Sequence, residues 1–413
     1  MSRIVMKFGG TSVADLDRIA VAADKVRQEV ENGHEVIVIV SAMSGKTNEL
    51  VGWVKTSDPD FDLAEYDAVV SSGENVTSGL MALRLQVMGV KARSFQGWQV
   101  PVKCTGHHES ARIDEIPTDN LDAAFKAGNK VCVIAGFQGV MEDGRIATLG
   151  RGGSDTTAVA FAAAIKAVRC DIYTDVDGIY TTDPRIVPEA RKLNKISYEE
   201  MLELASLGAK VLQTRSVELA RSYQVPLRVL SSFEDDISDK QGTFVCREKD
   251  IMENIRVVKG VAYSRDEAQI TLVSVADQPG VAAAIFGPLA DAGVNVDMIV
   301  QNISEGGRTD MTFSCPVDQI GRAGKALAAA KKDDIIRYKS LKTDDDVAKI
   351  SIVGNGMRSH AGVAAKMFQI LADKGVNIRV ITTSEIKVSV LIERDYMELA
   401  VRALHDAFEL ETA

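Results

Sequence analysis

Two stretches near the C-terminus constrain the fold more than anything else in the chain. Residues 280–299 read GVAAAIFGPLADAGVNVDMI, and residues 362–381 read GVAAKMFQILADKGVNIRVI. Twelve of the twenty positions are identical at a fixed offset of 82 residues. Self-similarity this close means two copies of one module. Each copy shows a strand, a Gly-opened helix with a Gly-capped end, two strands and a second helix.

The first copy holds all its pieces, with Ile335–Leu341 as its final strand. The second runs out of chain, because only five residues follow the helical pattern Tyr396–Phe408. The apolar run Ile255–Tyr263, ahead of the first copy, is strand-like and has no other sheet to join. It is expected to complete the second module, which nests the first inside it. The expected organisation is an N-terminal domain over 1–245, a linker plus strand over 246–264, a first module over 265–343 and a second over 344–413.

The N-terminal part alternates apolar runs with helical patterns. Val36–Val40 is a continuous β-branched run, as expected of a strand buried on both faces. Val131–Phe137, Ile172–Val176 and Leu227–Leu230 read the same way. Helical spacing runs from Val13 to Val30 and over Glu74–Val87, Ser154–Val168 and Tyr198–Ser222. This rhythm predicts an α/β layered fold with a mainly parallel sheet, whose ligands bind beyond the carboxyl ends of the strands.

Several function classes are disfavoured. The net charge of −10 argues against nucleic acid or an anionic membrane as main partner. No apolar run approaches the ~18 residues of a membrane span, and the N-terminus has no signal-peptide pattern, so a cytoplasmic protein is expected. The five cysteines are scattered without metal or redox spacing and read as buried thiols. His107-His108 are adjacent, but no Cys or third His clusters with them, so no metal site is assigned.

Five stretches carry candidate chemistry. Lys7-Phe8-Gly9-Gly10-Thr11-Ser12-Val13 follows the apolar run Ile4-Val5-Met6, so Gly9-Gly10 is placed where a strand turns into a helix. Glycines there admit positive φ and close ligand approach, and a helix start favours a phosphate. Ser41-Ala42-Met43-Ser44-Gly45-Lys46-Thr47 ends like a Walker A turn, but position 40 is valine where that motif needs glycine. It is read instead as a strand-end loop with Thr47 capping the next helix. Ser71-Ser72-Gly73-Glu74 places an acid in a first helical turn. Thr148-Leu149-Gly150-Arg151-Gly152-Gly153-Ser154-Asp155 surrounds an arginine with glycines, and a guanidinium fork matches a carboxylate bidentately. The Asp-rich run Thr174–Arg185 does not fit an EF-hand register.

The Lys7–Val13 heptad, the Gly73-Glu74 pair and the Gly150–Asp155 turn resemble the aspartokinases, within the amino-acid kinase superfamily. The repeat resembles the ACT module, a βαββαβ ligand-binding domain. The likeness runs from Lys7 to about His405. It implies a three-layer amino-acid kinase domain followed by two ACT modules, and Mg-ATP-dependent phosphorylation of the side chain of L-aspartate, the first step toward lysine, threonine and methionine. The implied catalytic residues are Lys7, Glu74, Arg151 and Asp155. Nucleotide contacts fall to Lys7, Phe8, Gly9, Gly10, Ser41, Thr174, Asp175, Tyr180, Thr181, Thr182, Asp183, Pro184, Arg185 and Lys210. Substrate contacts fall to Thr47, Glu74, Arg151, Gly152, Gly153, Ser154 and Asp155, with no protein-held metal.

Paired ACT modules imply a small amino-acid effector, here lysine, threonine or both. Candidate contacts are Asp277, Gln278, Pro279, Gly280, Val281, Ala282, Asn295, Val296, Asp297 and Gln301 in the first copy. In the second they are Val363, Ala364, Asn377, Ile378, Ser384 and Glu385. The resemblance also implies a homo-oligomer through the modules, with a short regulatory chain starting near Met252 as a further option. The competing readings are a kinase of acetylglutamate, glutamate or a nucleotide, and an inactive amino-acid sensor.

Overall fold

The computed structural model describes residues 2–206, 211–234, 242–251, 257–302, 306–355, 357, 360 and 362–411. The chain divides into two units. One holds the residues up to Ile179, 192–205 and 211–251; the other holds Tyr180–Arg191 and the chain from 257 onward.

The first unit is built on an eight-stranded sheet. Its strands run in the order Lys195–Ser197, Thr243–Cys246, Leu227–Ser231, Cys170–Thr174, Arg3–Phe8, Glu35–Val40, Val131–Ala135 and Ala92–Phe95. All neighbours are parallel except Leu227–Ser231 with Thr243–Cys246. The central strands are mainly apolar because helices cover both faces. Ile4, Met6 and Phe8 pack with Val36, Val38 and Val40 against Ile19, Ala23 and Val26 of Leu16–Glu31 and Met81 and Leu85 of Ser72–Val87. Side chains alternate along a strand, so Val5 and Lys7 face the opposite layer. There Gly153–Ala164 lies on the Arg3–Phe8, Glu35–Val40 and Cys170–Thr174 strands and packs on Thr214–Tyr223. A smaller four-stranded sheet orders Arg112–Glu115, Lys103–Thr105, Gln138–Val140 and Ile146–Thr148.

The second unit carries a six-stranded antiparallel sheet in the order Ile299–Gln301, Arg308–Cys315, Gly260–Ala276, Ser340–Val353, Lys387–Glu393 and Ile378–Thr383. Two long strands serve both repeats. Residues 268–276 pair with 308–315 of the first copy, whereas 260–264 pair with 349–353 of the second. Residues 260–264, ahead of the first copy, therefore add to the second, and the expected start of that strand at Ile255 lies outside the described residues.

Several element boundaries differ from the sequence expectation. The helix expected from Val13 begins at Leu16, because Asp15 accepts the Arg18 N–H as an N-cap, and Gly10–Val13 forms a separate 3-10 turn. Thr47 does not cap its helix. Gly45, at φ +79, precedes a helix that already starts at Lys46. The stretch Tyr198–Ser222 is two helices, Tyr198–Ser206 and Thr214–Tyr223, the second preceded by an extended Gln213. The last strand of the first copy starts at Ser340 rather than Ile335. Among the described residues no helix is long and apolar enough to cross a membrane, and Cys104, Cys132, Cys170 and Cys315 are buried free thiols.

Candidate active site

Lys7 sits one residue before the end of the central strand, paired in register with Ile39 and Ile172. It is only 8% exposed. Its Nζ lies 2.6 Å from Oδ1 of Asp155, an ion pair by distance that is not aligned as a hydrogen bond. The turn that follows differs from expectation in conformation. Gly9 is extended at φ −69, ψ 168, and neither Gly9 nor Gly10 has positive φ. The glycines serve close approach instead, since a Cβ on Gly10 would sit 3.0 Å from the Ala42 carbonyl.

The Ser41–Ala42 loop links this turn to Glu74. Thr77 Oγ1 donates to the Ser41 carbonyl at 2.8 Å, and the Ala42 N–H donates to Glu74 Oε1 at 3.0 Å. Gly73 makes the approach possible, because a Cβ there would fall 2.6 Å from Ala42 Cβ. Glu74 is 3% exposed, and its Oε2 is buried with no hydrogen-bond partner among the described residues. Burial raises its pKa to about 7, against the lowering effect of the Ala42 N–H. An unsatisfied buried acid oxygen is a place for a cationic donor.

The third wall is the Gly150–Arg151–Gly152 turn. Gly150 and Gly152 have φ of +76 and +72, values that side chains rarely adopt. Gly152 opens the helix Gly153–Ala164, which places Asp155 in its first turn and against Lys7. A Cβ on Gly136 would lie 2.9 Å from the Val40 carbonyl and 3.0 Å from Ser154 Oγ, so Ser154 also meets the sheet edge. Arg151 is exposed at the tip of the turn. Phe137 holds the back of the turn from a left-handed conformation, φ +68, accepting the Leu149 N–H and donating its own to Thr157 Oγ1.

The structure thus brings Lys7, Gly9, Gly10, Ser41, Glu74, Ser154 and Asp155 to the carboxyl ends of adjacent strands. Thr174 ends a neighbouring strand, with Asp175 accepting its hydroxyl at 3.1 Å. Tyr180–Arg185 belong to the second unit instead. Thr181 Oγ1 lies 2.9 Å from His405 Nε2, Asp183 accepts from Tyr263 and Arg185, and Tyr180 packs on the core of the second module. Lys210 and Met252 lie outside the described residues.

Among the effector candidates, several side chains have packing duties. Val281 and Val296 lie against the first module's core, and Val363, Ala364 and Ile378 against the second's. Asp297 pairs with the buried Lys349 at 2.6 Å, which the sequence did not signal. The Asn295 N–H donates to Gln319, and Ser384 closes a turn with Lys387. Gln301 is exposed on an edge strand. Sequence reasoning also missed the Ala42 amide, a backbone group without a side-chain signature, and the packing role of Gly73.

The amino acid kinase family model matches residues 2–231, and ACT domain models match residues 269–332 and 350–408. Fold and site therefore define an amino-acid kinase with two ACT domains. Over 413 residues the chain is 51% identical to the aspartokinase of Pseudomonas aeruginosa, across 100% of this chain and 98% of that one. E. coli aspartokinase III in complex with aspartate and ADP is similar at a TM-score of 0.82 and 28% identity, over 98% of this chain and 99% of that one. The same enzyme in complex with lysine and aspartate is similar at a TM-score of 0.73 and 27% identity, over the same shares. The chain belongs to the aspartokinase family, whose members phosphorylate a carboxyl group of aspartate.

Proposed function

We propose that the chain transfers the γ-phosphoryl group of ATP to the side-chain carboxylate of L-aspartate, giving 4-phospho-L-aspartate. The observation that carries the reading is the convergence of a buried cation and two buried acids at one rim: Lys7 against Asp155, and Glu74, whose Oε2 has no hydrogen-bond partner among the described residues. An attacking carboxylate, of reference pKa ~3.9, is already ionised at neutral pH and needs no general base. What remains is charge neutralisation and in-line alignment.

Lys7 meets the charge on the transferring phosphoryl. An ammonium ~4 Å from a phosphate oxygen is worth about 4 kcal/mol at an effective dielectric of ~20, before desolvation is discounted. Arg151 offers its fork to the α-carboxylate of aspartate. Glu74 and Asp155 receive the ammonium, Gly152, Gly153 and Ser154 line the turn, and Thr47 assists. Phe8, Gly9, Gly10, Ser41, Thr174 and Asp175 stand on the nucleotide side; the roles of Tyr180–Arg185 and Lys210 rest on the family resemblance. Magnesium is read as held mostly by ATP oxygens. When bound, that ion would neutralise phosphate charge.

Aspartate-dependent ATP consumption, with the acyl phosphate trapped by hydroxylamine, tests the reaction. Lys7→Ala is expected to lose ~10²-fold or more in turnover, and absence of any hydroxamate from the native chain overturns the reading. Glu74 is protonated below about pH 7 and then offers the ammonium no charge. The KM for aspartate should therefore fall as pH rises through about 7, and Glu74→Gln should remove that dependence.

Regulation follows from the two ACT domains. Lysine, threonine or both bind there and favour an inactive arrangement, which requires that they bind one state better than the other. On this reading the enzyme takes the first step toward lysine, by way of diaminopimelate, and toward threonine and methionine. The modules also join copies of the chain, with a shorter chain from near Met252 as an optional partner. No change in activity across millimolar lysine plus threonine removes the regulatory claim.

A further inference from the structure

Asp67 takes no part in the chemistry above, yet its side chain is fully buried. It lies in the helix Leu63–Val70, which leads through Ser71 into the helix that carries Glu74. Its carboxylate accepts from Thr148 Oγ1 at 2.5 Å and from the Glu109 N–H at 3.0 and 3.1 Å, and it lies 2.7 Å from His108 Nδ1. The His107-His108 pair thus finds a use for His108 as an acid's partner.

These donors lead to the arginine turn. Thr148 is the last residue of its strand, three before Arg151. The Ala111 N–H donates to the Thr148 carbonyl at 3.0 Å, and a Cβ on Gly150 would lie 3.2 Å from the Glu109 carbonyl. Arg215 ties the two segments further, donating to the carbonyls of Leu149 and Ala111 at 2.8 and 2.9 Å. The back of the turn therefore rests on segment 108–111, and both are gripped by Asp67.

We propose that Asp67 is a positioning residue for aspartate recognition: it fixes the Arg151 turn relative to Glu74, so that the two grips keep the spacing of one α-amino acid. The inference rests on reading Arg151 and Glu74 as those grips. An apolar side chain would join helix to strand as firmly. A carboxylate held by donors from several directions also sets the angle between them, and a buried charge is retained only when so satisfied.

The test compares Asp67→Asn and Thr148→Val in the full chain, with KM for aspartate and for ATP, kcat and melting temperature measured together. Both substitutions are expected to raise the KM for aspartate about 10-fold while leaving that for ATP within about twofold, since small misplacements of a grip cost this much. A lower melting temperature with unchanged KM values, or equal rises for both substrates, overturns the proposal. If Asp67→Asn does not fold, Thr148→Val, which removes a single hydroxyl, decides alone. Arg151→Ala separates the two layers of the argument. If it leaves the KM for aspartate unchanged, the reading of the grips fails. If it raises that KM while Asp67→Asn and Thr148→Val do not, only the brace fails.

Discussion

The two copies of the repeat share a sequence pattern and a fold but not their surroundings. The first closes on its own elements, with Ile270, Leu272, Ile285, Leu289, Phe313 and Leu327 in its core. The second incorporates Ile186, Val187 and Ala190, from about 160 residues upstream, beside Ile350, Ile352, Leu371, Val390 and Leu404. Aligning the last helices on the buried pairs Ala323 and Leu327 with Ala400 and Leu404 matches Ala328 to His405. Ala328 is exposed, whereas His405 is 1% exposed and bonded to Thr181. The copy that acquired a cover thus needed a polar partner for a polar group on it. The first copy fills its main core from its own elements and the long strands it shares, and the second also takes residues 186–190 into its core.

The sharpest way to break this contrast is to hollow each core in turn. Leu404→Ala and Leu327→Ala should each cost about 4 kcal/mol. Only the first should also strip amide protection from Ile186, Val187 and Ala190 in hydrogen exchange; equal loss in both would end the distinction. The next test joins the copies rather than separating them. Lys349 of the second copy is 5% exposed and lies 2.6 Å from both Glu267 and Asp297. Lys349→Met leaves two carboxylates facing each other and should cost about 3 kcal/mol. Calorimetry should then show the copies melting less cooperatively.

Smaller effects sharpen the picture at the cover itself. Tyr263 donates to Asp183 at 2.8 Å, and the hydrogen bonds of Arg185 and Tyr263 hold that carboxyl at about 2. Tyr263→Phe should cost about 1 kcal/mol by denaturant unfolding, with the first copy untouched. Finally, burial lowers the His405 pKa below its usual 6.5, against the pull of Glu411, Glu189 and Asp406. The unfolded chain then binds the extra proton, so this contribution is present above pH 6.5 and is lost as pH falls below it. The second copy should loosen on acidification, His405→Asn should flatten the dependence, and the first copy, with Ala328 there, should lack this contribution.

Much of the molecule was legible from short-range pattern. The β-branched run at Val36–Val40, the apolar residues ahead of Lys7 and the 82-residue offset announce a buried sheet and two modules, because strand and helix periods are local consequences of burial. Local reasoning misplaced the positive φ, which was expected at Gly9 and Gly10 but is found at Gly150 and Gly152. Thr47 shows its limit, since a glycine two residues earlier took the helix start.

What the sequence by itself determined is the set of elements and the residue types at their ends, Lys7, Glu74, Arg151 and Asp155 among them. Only the tertiary structure decided that Asp155 meets Lys7, that Asp67 grips the strand before Arg151, and that Tyr180–Arg191 pack with the second repeat. The physical reason is range. Backbone preference and periodicity act over a few residues, whereas the partner of a buried charge or the cover of a helix is chosen among surfaces that lie far apart along the chain.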